Sequence, residues 1–228
     1  FMENRGVRVI EPTTAEKIDS GEDGVTVHLS HGDSCRAAMA FVAIGRIPDL
    51  DRLNLDAAGL KGEAGGSLGI DPYGRTVKPW IYLAGDASGS PMVANRAMTQ
   101  AWIAGRHAAG AEVEPFLPDT VVHAVYSYPE VAQVGNLSSA QEVTVPYEGV
   151  LKSRLSDRKG FIKLGYDEDR KITGAVAVGA FASDTLAPVA VAIRADLALD
   201  DLAAVSPAHP TLSELPFLAA RLFLNERR

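Results

Sequence analysis

Hydrophobic and polar positions alternate over residues 25–29, where Val25, Val27 and Leu29 are separated by Thr26 and His28. That period of two predicts a half-buried strand, and residues 7–10 (VRVI) predict another. Gly21 and Gly24 punctuate the chain before the 25–29 strand, and Gly32 and Asp33 after it. Residues 39–44 are different: a continuous apolar run, the pattern of a strand buried on both faces. The run stops at Gly45-Arg46-Ile47-Pro48, where the proline lacks the donor that pairing needs. Residues 49–79 carry little periodicity, and Gly59, Gly62, Gly65, Gly66, Gly69 and Gly74 predict surface loops and short strands. Residues 80–83 read as a second buried strand, ending in Ala84-Gly85-Asp86.

After Pro91 the period changes to that of a helix. Val93, Ala97, Ala101, Ala104 and Ala108 fall about one turn apart on one face, and a face of alanines allows close approach to a sheet or a cofactor. Gly110 suits the C-terminal end of that helix. Residues 112–118 (EVEPFLP) read as a linker. Beyond it, residues 121–126, 131–134, 161–164 and 172–178 predict strands, with turns at Gly160 and over 167–171. Leu186, Val189, Ala190, Ile193 and Leu197 follow helical spacing, and a last helix is expected over 215–224. Strands followed by helices predict an α+β unit with a mostly antiparallel sheet, behind an α/β portion.

Composition narrows the classes. The 228 residues include 22 Lys+Arg and 29 Asp+Glu, a net charge of −7, which argues against a nucleic-acid scaffold or an anionic-membrane binder. The single cysteine, Cys35, excludes an internal disulfide, a CxxC pair and a structural zinc site, and reads as a small buried hydrophobe. No apolar run approaches the ~18 residues of a membrane span and no signal-peptide pattern opens the chain, so a cytoplasmic protein is expected. Phe1 is not an initiator methionine, which fits a piece of a longer protein. No GxGxxG, Walker A or HExxH sequence is present, and the five histidines form no metal-ligand pattern; His28 and His31 read as a strand end and a turn.

Two places could carry chemistry. Asp86 is delivered at the carboxyl end of an apolar segment, where ligands bind in open α/β sheets; it could accept hydrogen bonds from sugar or ribitol hydroxyls, or merely cap a turn. His209 lies near Glu214 in His209-Pro210-Thr211-Leu212-Ser213-Glu214. A carboxylate beside an imidazole fixes its tautomer and favours its protonated form. The same Glu214 stands at capping-box spacing from Thr211, although Pro216 is awkward for a helix starting there. Both readings of each residue stay open on spacing alone.

Four segments in order resemble the C-terminal half of the flavoprotein pyridine nucleotide–disulfide oxidoreductases, the family of dihydrolipoamide dehydrogenase, glutathione reductase and mercuric reductase. They are Ala43-Ile44-Gly45-Arg46-Ile47-Pro48, Ile81-Tyr82-Leu83-Ala84-Gly85-Asp86, Tyr128-Pro129-Glu130-Val131-Ala132-Gln133-Val134-Gly135, and the His209–Glu214 segment. The resemblance implies that residues 1–44 end an NAD(P)-binding domain, 45–115 form a second segment of an FAD-binding domain, and 117–228 form a dimerisation domain. It implies that Asp86, after Gly85, bonds the FAD ribitol, and that Met92, Val93, Ala94 and Asn95 bring a helix start beside the flavin ring. Gly45, with Arg46, would sit beside the nicotinamide cofactor. His209 would be the proton acceptor and Glu214 its partner, reaching across a two-fold axis in a homodimer toward the other subunit's flavin.

The implied chemistry is NAD(P)H-driven reduction, through FAD, of a small disulfide or another redox substrate, without nucleic acid or membrane span. The FAD and NAD GxGxxG motifs and the CxxxxC pair are not in this sequence, and the resemblance places them ahead of Phe1. Pro207 stands where dihydrolipoamide dehydrogenases carry a second histidine, and Asn95 where many carry another. A flavin quinone reductase without a redox disulfide, and a dimerisation module without catalysis, are the rival expectations.

Overall fold

The computed structural model describes residues 3–61, 68–138, 141–156 and 158–226. Phe1 and the loop glycines Gly62, Gly65 and Gly66 lie outside the described residues. The chain divides into two compact units, Phe1–Arg46 and Ile47–Arg228.

The first unit is a three-stranded antiparallel sheet of β1 (Ala15–Gly21), β2 (Gly24–Leu29) and β3 (Ser34–Ala37), in that order. Gly21 pairs with Gly24, so the two glycines close a two-residue hairpin. Val25, Val27 and Leu29 lie on β2 as the alternation predicts. Cys35 sits on β3 opposite Val27 as a free, half-buried thiol. Residues 7–10 form no strand, and Val7 and Val9 are exposed. Residues 39–44 are not a strand either: Met39, Phe41 and Ile44 are 84%, 94% and 92% exposed. A strand buried on both faces needs neighbours along its edges and a layer over each face. Among the described residues of this unit none stands there.

In the second unit, a small core of Leu50, Leu60 and Leu68 takes in Ile81 and Leu83. Residues 80–83 form no continuous strand; Tyr82 makes one bridge to Arg75, and Trp80 is exposed. The segment is instead the return arm of a tight loop, with Leu83 N–H bonding Gly74 C=O and Thr76 N–H bonding Ile81 C=O. Helix α1 (Ala94–Ala108) buries Arg96, Gln100, Ile103 and Ala104. The inward stripe is therefore not the alanine row, since Ala101 and Ala108 are exposed. Two alanines still serve close approach. A Cβ placed on Gly85 would lie 2.9 Å from Ala97 Cβ, and one on Gly74 would lie 3.0 Å from Ala104 Cβ. The helix ends in a Schellman motif, with Gly110 at φ +77° donating to His107 C=O and Ala111 donating to Arg106 C=O.

The linker leads into a five-stranded antiparallel sheet. Its strands are β4 (His123–Val125), β5 (Val131–Gly135), β6 (Gln141–Pro146), β7 (Gly160–Tyr166) and β8 (Ile172–Gly179), in the order β4-β5-β8-β7-β6. The sheet's buried face presents Ala132, Val134, Ile162, Leu164, Ala175 and Ala177. Over it lies α3 (Ala182–Arg194), which buries Ala182, Thr185, Leu186, Val189 and Ala192 at helical spacing. Each fully buried Leu or Val contributes about 1.5–3 kcal/mol relative to exposure. Short helices α2 (Leu151–Leu155) and α4 (Leu199–Ala203) and the final α5 (Leu215–Glu226) complete the layer. Leu197 fits the helical spacing for a different reason than helix. The helix has ended, Asp196 takes φ +53°, and Leu197 N–H returns to Ala192 C=O in a second Schellman motif. The architecture is thus an antiparallel sheet flanked by helices, the α+β arrangement expected of this half.

Candidate functional site

Asp86 sits in a 3-10 turn, Gly85–Ser88, that follows the 74–83 loop. Gly85 is buried and takes φ +69°, a conformation that a side chain disfavours, and Ala97 of α1 leaves no room for one. The turn therefore packs flush on the helix while the Asp86 side chain stays exposed. The chain then runs through Pro91 into Met92 and Val93, both half-buried, and α1 starts at Ala94. Val93 is extended, and no side chain caps the helix, so the first-turn N–H groups are not consumed by a capping oxygen. Asn95 is exposed and donates from Nδ2 to Val122 C=O at 2.8 Å, tying the helix start to the segment before β4.

Two polar side chains on the buried stripe of α1 grip this turn. Gln100 Oε1 accepts from Gly85 N–H at 2.9 Å and from Ser88 Oγ at 3.3 Å. Arg96 donates to Gly89 C=O at 2.6 Å, to Pro91 C=O at 3.1 Å and to Ser88 Oγ at 2.8 Å. Burial pushes the Arg96 guanidinium below its ordinary value, while Asp86 acts the other way. Neither residue enters the sequence reading. The signal was there: Arg96 and Gln100 share a stripe, four apart, with apolar Ile103 and Ala104. Beside them, Arg96, Pro91, Phe116, Asp119, His123 and Gln133 line part of a cleft of about 410 Å³.

The second cluster is built at the entry to α5. His209 Nδ1 lies 2.8 Å from Glu214 Oε2, and Thr211 N–H donates to Glu214 Oε1 at 2.7 Å. Both readings of Glu214 are thus realised at once, one on each carboxylate oxygen. Pro216 is accommodated because a 3-10 turn, Leu212–Glu214, precedes the α-helix, which places the proline in the first turn of α5. The imidazole is 60% exposed and the carboxylate 17%. Burial pushes the Glu214 carboxyl up, but the His209 bond, the Thr211 N–H and the charges of His209 and Arg221 outweigh it. The net effect holds Glu214 below the ordinary carboxylate range. The ionised acid accepts, so the neutral imidazole carries its proton on Nδ1 and leaves Nε2 as the basic nitrogen.

Gly45, at φ +118°, and Arg46 are exposed and close the first unit. Glu130, within the third motif, accepts from Ser183 N–H at 2.8 Å and so caps α3. Among the described residues there is no group of three His, Cys, Asp or Glu able to hold a metal, and no helix long and apolar enough to cross a membrane.

Residues 1–101 match the family model of pyridine nucleotide-disulphide oxidoreductases, and residues 121–220 match the model of that family's dimerisation domain. A NAD(P)H dehydrogenase (quinone) of Mycobacterium tuberculosis is 31% identical over 227 residues, 95% of this chain and 46% of that protein. A dihydrolipoyl dehydrogenase of Geobacillus stearothermophilus is 32% identical over 239 residues, 98% of this chain and 50% of that protein. The crystal structure of LpdA from Mycobacterium tuberculosis superimposes with a TM-score of 0.89 at 29% identity, covering 97% of this chain and 50% of that one. The chain spans about half the length of the curated relatives it matches.

Proposed function

Because this chain belongs to the pyridine nucleotide–disulphide oxidoreductases, we propose that it supplies three parts of an FAD-dependent, NAD(P)H-linked oxidoreductase: a flavin ribitol contact, an acid–base pair and a dimer interface. On this reading residues 1–44 end the NAD(P)-binding domain, 45–115 belong to the FAD-binding domain, and 117–228 form the dimerisation domain. The residues present fit part of a flavin. Asp86 offers an exposed carboxylate for ribitol hydroxyls, and the uncapped start of α1, with Met92, Val93, Ala94 and Asn95, offers backbone donors and a positive dipole end. Gly45 and Arg46 would stand beside the nicotinamide. Bound FAD would supply the chemistry of accepting a hydride from NAD(P)H and passing two electrons to an acceptor.

The chain's own part in that chemistry is proton handling. Reduction of a disulfide consumes two electrons and two protons and yields two thiols. In the reverse direction His209 Nε2 takes the proton from a substrate thiol, leaving the reactive thiolate, while Glu214 stabilises the imidazolium and holds the ring's orientation. The exposed imidazole serves a site outside its own fold, that of the partner in a homodimer. The exposed Tyr126, just before the third motif, and Tyr128, its first residue, support an interface on the same portion of the chain. The observation that carries the reading is the His209–Glu214 pair, held on a chain whose two halves both match the family.

The test is His209→Ala in the protein at its full natural length. Flavin reduction by NAD(P)H should stay near wild type while thiol–disulfide turnover falls about 10²–10⁴-fold. Equal loss in both half-reactions overturns the role. A quinone acceptor is the second reading, favoured by the Mycobacterium tuberculosis relative of that name. Assayed side by side, the two acceptor classes separate the readings, since a quinone reductase should keep quinone turnover in His209→Ala.

A further inference from the structure

The segment from Gly85 to Pro91 (GDASGSP) carries one ionisable side chain, Asp86. Its backbone is shaped by two positive-φ glycines, Gly85 at +69° and Gly89 at +91°. Such a segment has no regular ladder to hold it. Arg96 and Gln100 do that work from the facing helix. Gln100 takes the N–H of Gly85, and Arg96 takes the carbonyls of Gly89 and Pro91. Ser88 Oγ, which accepts from Arg96 and shares its one proton between Gly85 C=O at 2.8 Å and Gln100 Oε1 at 3.3 Å, joins the two.

We propose that Arg96 and Gln100 are positioning residues that set the affinity for the flavin cofactor by holding Asp86 in its binding orientation. The inference rests on the FAD reading above. Two costs show that the clamp is not incidental packing. Arg96 is 8% exposed, and burying a guanidinium is unfavourable unless its donors are used. It also stands in the first turn of α1, where the helix dipole disfavours a cation. Among the described residues no carboxylate lies within ion-pair distance of Arg96; its donors go to neutral oxygens of the one segment that presents Asp86. A fork with several fixed donors can pin two carbonyls and a hydroxyl together, which a lysine cannot. Fixing the segment in advance removes the ordering cost that a mobile carboxylate would bring to ligand binding.

The test uses the protein at its full natural length, stripped of flavin and titrated with FAD while flavin fluorescence is followed. Asp86→Asn should weaken FAD by about 10–100-fold, the range of one hydrogen bond to a charged group. Arg96→Met should weaken it by about 5–30-fold. In the Asp86→Asn background Arg96→Met should add less than about threefold, because its route through Asp86 is gone. Arg96→Lys should recover part of the loss. Gln100→Leu removes a smaller part of the clamp and should show the same coupling, which keeps the test available if Arg96→Met does not fold.

Wild-type FAD affinity in both Arg96→Met and Gln100→Leu overturns the inference alone. So do losses that multiply with that of Asp86→Asn. A wild-type protein that does not bind FAD, or an Asp86→Asn variant that binds it normally, overturns the cofactor reading and the inference with it.

Discussion

Glu214 divides its carboxylate between His209 and the backbone of the chain, giving Oε2 to the imidazole and Oε1 to the N–H of Thr211. The bond that starts the last helical segment and the bond that orients the ring thus share one side chain. Substitutions can separate the two duties. Glu214→Gln keeps an oxygen for Thr211 but can turn only an amide toward His209, where a carboxylate accepts from Nδ1–H. We expect near wild-type stability, within about 1 kcal/mol, and a loss of thiol-linked turnover. Glu214→Ala should lose the same turnover and a further ~1 kcal/mol of stability from the missing cap. Denaturant unfolding and steady-state kinetics on both variants check this.

The depressed ionisation of Glu214 also fixes a sign for pH. Its ordinary value is 4.5 and the folded value is lower, so the folded state binds its proton less readily than the unfolded chain. Its stabilisation is fully present above the ordinary value and is lost as the pH falls through the folded value. The stability gap between wild type and Glu214→Gln should therefore shrink as the pH falls below about 5. A gap that widens over that acid range contradicts the assignment.

Gly85 and Ala97 form a steric pair. Gly85→Ala combines a left-handed conformation, costing about 1–2 kcal/mol, with a contact of 2.9 Å against the Ala97 methyl. Adding Ala97→Gly should recover the contact but not the backbone strain, while itself costing about 1 kcal/mol of helix propensity. The double variant should be less destabilised than the sum of the singles, measured by chemical denaturation.

On the opposite end of α1, Tyr82 Oη and His107 Nδ1 are 2.8 Å apart, and the Tyr73 ring lies 4.5 Å from the imidazole. Tyr82→Phe removes the hydrogen bond and leaves the ring packing. The expected cost is about 0.5–1.5 kcal/mol, with FAD affinity unchanged. Loss of cofactor affinity in this variant would mean that the 74–83 loop transmits further than the clamp at residues 85–91.

Where a segment's partners are in the same unit, its pattern was legible. The strands within 121–178 and the helices over 182–194 and 215–226 follow from periods of two and 3.6, because each element buries one face against another described element. Edge strand β6 and the short helices α2 and α4 escaped, since a few polar-rich residues carry too little periodicity to register. β1 escaped for a related reason: all seven of its residues are exposed, so no alternation was required of it. The reverse error fell on residues 39–44 and 80–83, where apolar runs promised strands that have no ladder among the described residues.

At the site, spacing brought His209 and Glu214 together but could not show that Glu214 serves two partners. It missed Arg96 and Gln100 because polar residues on a helix default to the outer face. Only their register with Ile103 and Ala104 marks them as inward.

The uncovered run from Ala38 to Ile44 (AMAFVAI) has a practical consequence for handling the protein. Seven residues without charge, proline or glycine, several of them strand-forming, meet the conditions under which identical chains stack edge to edge. Concentrated solutions of the chain on its own should cloud through this stretch before the rest of the molecule unfolds, and one lysine at Phe41 should keep them clear.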